Sequence, residues 1–365
     1  ITLGPNADAW AARADSTRRD YPWVTPMADG GTMDSLPVAP IAPSRGYGLG
    51  PREQRWLVSA SWAREGKSGG LAYAGTDPVG KLTWLLQGQW GDRASWRGAS
   101  IGAAFRGSRP LIGAELFTLD NRPSRQHDFV APAALDARYG GGSVWTEHRD
   151  DRQSRALDMR ALASYGVVDP LRAPSMRRAL AKLSLAGALL QTPGDWLVRE
   201  RLGAAGTVGR TGGDGWRRAV VTGALSVTGM GHELALDGMY GRVSRTVAYE
   251  AFALGGLAPA IVDSTVLDQR VSMPVLPIGV ATGIAVATFR ASLPGEIWRP
   301  YFWVGSANDV RGAWSQVVGI EGAWQTDGIW MVRVPGVRLL GGIGYSLTGA
   351  ARHHAQAYLS VGYRP

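Results

Sequence analysis

In stretch after stretch of about ten residues, this chain alternates oily and wet side chains. Trp56, Val58, Ala60 and Trp62 oppose Arg55, Ser59 and Ser61, and Leu82, Trp84, Leu86 and Trp90 oppose Lys81, Thr83, Gln87 and Gln89. Ala99, Ile101, Ala103 and Phe105 oppose Ser100, Gly102 and Arg106, and the pattern returns around Leu157–Tyr165, Ala219–Val227 and Leu234–Tyr240. A period of two marks a strand whose faces meet different environments. Soluble strands average about five or six residues, whereas about ten tilted residues cross a bilayer core. Strands survive in hydrocarbon only when every backbone group is paired, which requires a closed sheet. The expected fold class is therefore all-β: a transmembrane, antiparallel, up-and-down β-barrel of about 16 strands.

The alternation places strands at 55–64, 69–75, 81–91, 96–106, 109–119, 154–166, 177–190, 197–208, 216–228, 231–243, 247–255, 280–293, 299–307, 315–325, 331–346 and 355–364. The final run sets Ala355, Ala357, Leu359, Val361 and Tyr363 against Gln356, Tyr358, Ser360, Gly362 and Arg364. A last strand of this kind has to close against the first. The longest connections, 120–153 and 256–279, then fall on one side of the membrane, away from both ends of the barrel. Residues 1–54 are proline-rich and aperiodic, and are expected to form an irregular connector or plug ahead of a barrel domain at 55–365. The chain starts at an isoleucine with no signal-like regions, so the numbering is expected to begin inside a longer precursor. The apolar stretch 271–289 is long enough for a spanning helix, but its two prolines and β-branched residues argue against one.

Fifty glycines and 15 tryptophans suit tight turns, crowded sheets and a headgroup-level aromatic girdle. Girdle candidates are Trp56, Trp84, Trp90, Trp96, Trp216, Trp298, Trp303 and Trp330. The absence of cysteine excludes disulfides and thiolate metal sites. Net charge is +9, carried almost wholly by arginine, since lysine occurs only at positions 67, 81 and 182. The arginines are scattered singly instead of massed in a stripe, so no nucleic-acid partner is expected. They suit the phosphates of outer-membrane lipid and lipopolysaccharide, or an anion-attracting lumen. Lumen-facing basic candidates are Arg55, Arg106, Arg160, Arg178, Lys182, Arg199, Arg201 and Arg218, with Asp158, Glu115, Glu233 and Asp237 as partners.

Catalytic signals are sparse. Gly98–Gly102 spells G-x-S-x-G, yet a nucleophile elbow needs a strand-to-helix turn and Ser100 lies within an alternating strand. The histidines at 127, 148, 232, 353 and 354 suggest no triad, and 118–128 lacks calcium-loop spacing. No enzymatic activity, cofactor or metal is expected.

The region 247–365 resembles the closing part of the BamA-like superfamily, the sixteen-stranded barrels of outer-membrane insertases and two-partner secretion transporters. The matching order is a strand-end motif at Phe252, Gly255 and Gly256, a long loop, "RASLP", "RPYFWVGSAN", "PGVRLLGGIGYSL" and a closing "AYLSVGYRP". The resemblance implies that the loop after the eleventh strand folds into the lumen. That family's loop tip reads Val-Arg-Gly-Phe/Tyr. Here Arg270 is the one arginine between Gly256 and Gly279 and the tip motif is missing; no POTRA domain fits in residues 1–54. The expectation is an outer-membrane barrel of a Gram-negative bacterium, plugged by long loops. It would anchor or export a larger attached domain or a periplasmic or cell-surface protein partner. A general or anion-preferring porin is the alternative, followed by an outer-membrane lipase.

Overall fold

The computed structural model describes residues 53–363 except 64–65, 78, 92–95, 122–124, 127–128, 131–136, 153, 171–172, 231, 246–248, 257–265, 274–275, 277–279, 294–297, 309–313, 327–336, 349–351 and 354. The connector expected over 1–54 lies outside them up to residue 52.

Sixteen antiparallel strands close into a barrel. They are β1 (Glu53–Ala63), β2 (Gly66–Thr76), β3 (Leu82–Gly91), β4 (Trp96–Phe105), β5 (Leu111–Asn121), β6 (Ala137–Arg152), β7 (Arg155–Pro170) and β8 (Met176–Gln191). They continue with β9 (Leu197–Thr211), β10 (Asp214–Gly229), β11 (His232–Val243), β12 (Ala285–Ser292), β13 (Trp298–Asn308), β14 (Trp314–Thr326), β15 (Val337–Ser346) and β16 (Ala355–Tyr363). Each strand pairs with its sequence neighbours, and β16 closes on β1 through Trp62–Leu359, Ser61–Ser360 and Ala60–Val361. No described helix is long and apolar enough to cross a membrane.

The two faces of the wall separate by the parity of the strands. Outward, large apolar side chains stand in the open: Leu116, Leu183 and Leu202 are 65–69% exposed, with Ile101, Val144, Val208 and Val221 beside them. Inward, polar and apolar side chains share the lumen, and the apolar ones that meet the connection between β11 and β12 are buried. Phe117, Leu119, Tyr139, Trp216, Val220 and Val243 on the wall pack with Phe252, Leu254, Leu267 and Leu276 from the long connection between β11 and β12. The described residues of that connection fold into the barrel as a luminal segment. It carries a small sheet in which Phe252–Leu254 pairs in parallel with Arg270–Val271 and antiparallel with Ala281–Gly283.

Two corrections to the strand assignment offset one another in the count. Ala137–Arg152 is a wall strand and not part of a long loop. Its large aromatics, Tyr139 and Trp145, face the lumen while Gly140, Gly142 and Val144 face outward, so the expected oily-out pattern was inverted. The strand expected at 247–255 does not join the wall over its described residues, 249–255: Phe252, Ala253 and Leu254 are all buried because the lumen surrounds them. The strand-end motif Phe252, Gly255 and Gly256 therefore belongs to the luminal segment, where both glycines take positive φ, 113° and 77°. With the sixth strand restored, the short turn at 212–213 moves to the same rim as the long connection. The five strands β6–β10 reach 15–16 residues, longer than expected. Trp84 and Trp90 do face outward, but Trp216 and Trp303 are buried in the lumen and form no girdle.

Glycine has a specific use where segment meets wall. A Cβ on Gly241 of β11 would lie 2.5 Å from the Phe252 ring, and one on Gly305 of β13 would lie 2.6 Å from Leu254 and 2.9 Å from the Met273 sulfur. These wall glycines leave the room that the segment's side chains fill.

Two outcomes check this fold. The purified chain should run faster on an SDS gel unboiled than boiled, as a closed barrel does. Gly305→Leu should lower stability to denaturant by about 1–3 kcal/mol through overpacking. Gly187→Leu, with nothing within 4 Å of its Cβ, should be near neutral. Equal effects of the two substitutions would contradict the packing described.

Candidate functional site: a charged latch inside the barrel

Arg178 and Lys182 stand four residues apart on β8, hence on one face. Cross-strand register sets Arg178 opposite Thr211 of β9, Lys182 opposite Thr207, and Thr207 opposite Arg218 of β10. Strand geometry thus gathers three cations and two hydroxyls into one luminal patch. All three cationic side chains are at least nine-tenths buried.

The luminal segment supplies the counter-charges. Glu250 accepts from Arg178 Nε (2.6 Å) and Thr211 Oγ1 (2.9 Å) at one carboxylate oxygen, and from Arg178 Nη2 (3.1 Å) and Arg218 Nη2 (2.9 Å) at the other. The Arg178 contact is the bidentate fork that guanidinium geometry favours. Asp268 bridges Arg218 Nη1 and Lys182 Nζ, the latter at 2.9 Å. Backbone carbonyls take further donors: Arg178 reaches Val266 O at 3.2 Å and Arg218 reaches Glu250 O at 2.8 Å, while Arg218 Nε is buried without a partner among the described residues. Rings flank Arg218, with Trp216 at 4.7 Å and Phe252 at 5.5 Å from the guanidinium carbon.

Burial by itself would raise the Glu250 carboxyl. Arg178 and Arg218, helped by the Thr211 hydroxyl, outweigh it and hold the group below the usual carboxylate range. Asp268 is likewise raised by burial and lowered further by Arg218 and Lys182. Both acids are therefore ionised at neutral pH and bind the wall as charges. A second contact reinforces the arrangement: Arg270 Nη2 donates to Tyr139 Oη at 2.8 Å, and Tyr139 Oη donates to Tyr249 O at 3.3 Å.

The other basic candidates lie elsewhere. Arg199 and Arg201 share the luminal face of β9 with Thr207, near the rim where β1 begins, and are exposed. Arg160, on the luminal face of β7, stacks over the Trp145 ring at 4.3 Å. Arg106 sits in the turn beyond β4, exposed. Arg55 is in β1, its side chain outside the described residues. The acids expected as partners are not those of the latch. Asp237 instead lies opposite Arg290, which pairs with Glu321 at 3.0 Å. Ser100 is buried on the luminal face of β4, with a strand on either side.

Sequence reasoning missed Glu250, Asp268, Thr211 and Tyr139. The available signal was a lone acid inside an apolar run, "AYEAFALGG", in a chain with surplus inward-facing cations. Such an acid is buried only if something positive waits for it.

No family model matches the chain, and no curated protein matches it in sequence. Among solved structures it is similar to CdiB from Acinetobacter baumannii (TM-score 0.56, 11% identity, 86% of this chain and 60% of that one). It is also similar to CdiB from Escherichia coli (0.56, 12%, 84% and 62%). A third is BamA from Haemophilus ducreyi lacking POTRA domains 1–3 (0.55, 11%, 85% and 70%). The chain spans about three fifths of the CdiB chains it matches. At these identities the likeness establishes the fold: this is a barrel of the outer-membrane type, with the architecture of CdiB and BamA.

Proposed function

We propose that this chain is the membrane barrel of an outer-membrane protein that anchors or exports a larger attached or partner protein. Its lumen is closed at rest by the segment between β11 and β12. The observation that carries this reading is the latch. Glu250 and Asp268, brought in by the segment, are bonded to Arg178, Lys182 and Arg218 of the wall at side-chain exposures of 0–12%. A passive pore gains nothing from a segment held so tightly, whereas a transporter or anchor has to stay sealed when its passenger is absent. The resemblance to insertase and secretion-transporter barrels, and the fold shared with CdiB and BamA, support the same reading. A porin is the second reading, favoured by exposed Arg199 and Arg201 on the luminal face. No catalytic role is assigned to Ser100 or to any histidine.

Conductance in a planar bilayer separates the two. The native chain should be silent or show rare brief openings. Removing one side of a buried ion pair costs about 3–5 kcal/mol, so Glu250→Gln with Asp268→Asn should raise open probability by at least about a hundredfold. Glu200→Gln, an exposed acid outside the latch, should change nothing. Large, steady, anion-selective steps from the native chain would overturn the plugged reading in favour of the porin.

The pH dependence has a definite sign. Both acids are depressed in the folded state, so the latch is at full strength above the ordinary carboxylate pKa of about 4 and weakens as pH falls through the depressed values. Open probability should be flat from about pH 5 to 8 and rise below about pH 4. A rise on going from pH 5 to 8 would contradict the latch.

A further inference from the structure

The outward face carries a charged patch that the latch does not use. Arg177 of β8, Arg210 of β9, Arg217 of β10 and Arg242 of β11 all have outward parity, alternating with Ala179, Val208, Ala219 and Tyr240. All four are exposed, and all lie near the rim from which the luminal segment enters. Register holds them together: Arg210 pairs with Gly215 and lies opposite Ala179, Arg217 lies opposite Val208, and Arg242 opposite Ala219. Four consecutive strands thus each carry one guanidinium at the border of the apolar band. Among the described residues no ion pair joins any of them to a carboxylate. Arg210 spends its Nε on Gly213 O at 2.8 Å, and Asp169, diagonal to Arg177, is engaged by Ser175 Oγ at 2.5 Å.

The opposite end of these strands is different. There the outward face carries both signs, with Asp150 paired to Arg152 at 3.2 Å and Glu200 set between Leu189 and Leu225. The unbalanced positive charge is therefore confined to one rim.

Below Arg177 and Arg210 the wall is grooved. Ala161, Ala163, Ala181 and Gly206 lie between Val144 and Val208 and leave a recess of about 650 Å³. A second recess of about 600 Å³, lined by Ile101, Leu116 and Tyr165, lies further round the wall on β3–β7 and meets the first at Val144 and Ala163. Guanidinium forks match phosphate, and such grooves match hydrocarbon chains. The four arginines span three strand spacings, about 14 Å at about 4.8 Å each, which is wider than a single phosphate.

We propose that Arg177, Arg210, Arg217 and Arg242 form a headgroup site for a lipid that carries more than one phosphate and several acyl chains, the chains lying along the wall below, with the recess under Arg177 and Arg210 taking part of them. Such a lipid has the chemistry of a bis-phosphorylated, multiply acylated glycolipid. The site also fixes the orientation of the barrel: the rim with the luminal segment faces the leaflet that holds this lipid. The proposal rests on the outward wall facing lipid.

The test uses the purified full chain in neutral detergent. Native mass spectrometry and thermal shift would follow added bis-phosphorylated lipid A, its dephosphorylated form, phosphatidylglycerol and inorganic phosphate. The expected result is retention and stabilisation by bis-phosphorylated lipid A, at least tenfold weaker for the dephosphorylated form. The quadruple Arg→Gln variant should lose that preference while keeping its unboiled mobility on SDS gels. Equal binding by native and variant chains, no preference between the two forms of lipid A, an equal response to phosphatidylglycerol, or full competition by inorganic phosphate would each overturn the site. A chain that fails to insert into lipid vesicles at all would instead overturn the membrane reading beneath it.

Discussion

Five charges buried inside a barrel decide how this molecule is built. Arg178, Lys182 and Arg218 face a lumen that apolar residues also line, and ions in such surroundings persist only when paired and hydrogen-bonded. Glu250 and Asp268 meet that need from a segment that is otherwise oily. The dependence runs both ways. Without the segment the wall would expose Trp216, Val220 and Val243 to a wet lumen beside three unmatched cations. Without the wall, Phe252, Leu254 and Leu276 would have nothing to pack against. Gly241 and Gly305 are part of the same fit, since any side chain there would compete for the space of Phe252 or Leu254.

Directional and non-directional forces divide the task. Apolar contact between segment and wall supplies the bulk of the attraction without choosing a register. The bidentate Arg178–Glu250 contact and the Asp268 bridge choose it, because guanidinium geometry tolerates little displacement. A closure built this way is firm at rest and yet removable, since losing the charge on two carboxylates unbalances the whole patch. The proposed role, a barrel serving a passenger or an attached domain, requires such a closure.

The barrel was legible in the sequence because lipid imposes a simple rule on the outward face. Ala99, Ile101, Ala103 and Phe105 follow that rule, and so does the closing strand Ala355–Tyr363. Legibility failed where the lumen is itself oily. On β6, Tyr139 and Trp145 point inward and glycines point outward, so an oil-out reading could not find the strand. At Phe252–Leu254 every side chain is buried, and in sequence such an apolar run is indistinguishable from wall. The basic half of the latch was readable, as Arg178, Lys182 and Arg218 fall on the polar face of alternating strands. Its acidic half was not, because Glu250 and Asp268 come from a segment with no period of two and meet the wall only through tertiary structure.

Charge holds the segment between β11 and β12 inside the barrel. Hydrogen exchange at the amides of Ala253 and Gly255 tests this, since they donate to Gln269 O and Val271 O within the lumen. In the native chain these amides should exchange as slowly as those of β8 and β10. In the Glu250→Gln, Asp268→Asn chain they should exchange faster by orders of magnitude while β8 and β10 stay protected. Rapid exchange in the native chain, or protection indifferent to the two substitutions, would contradict the account.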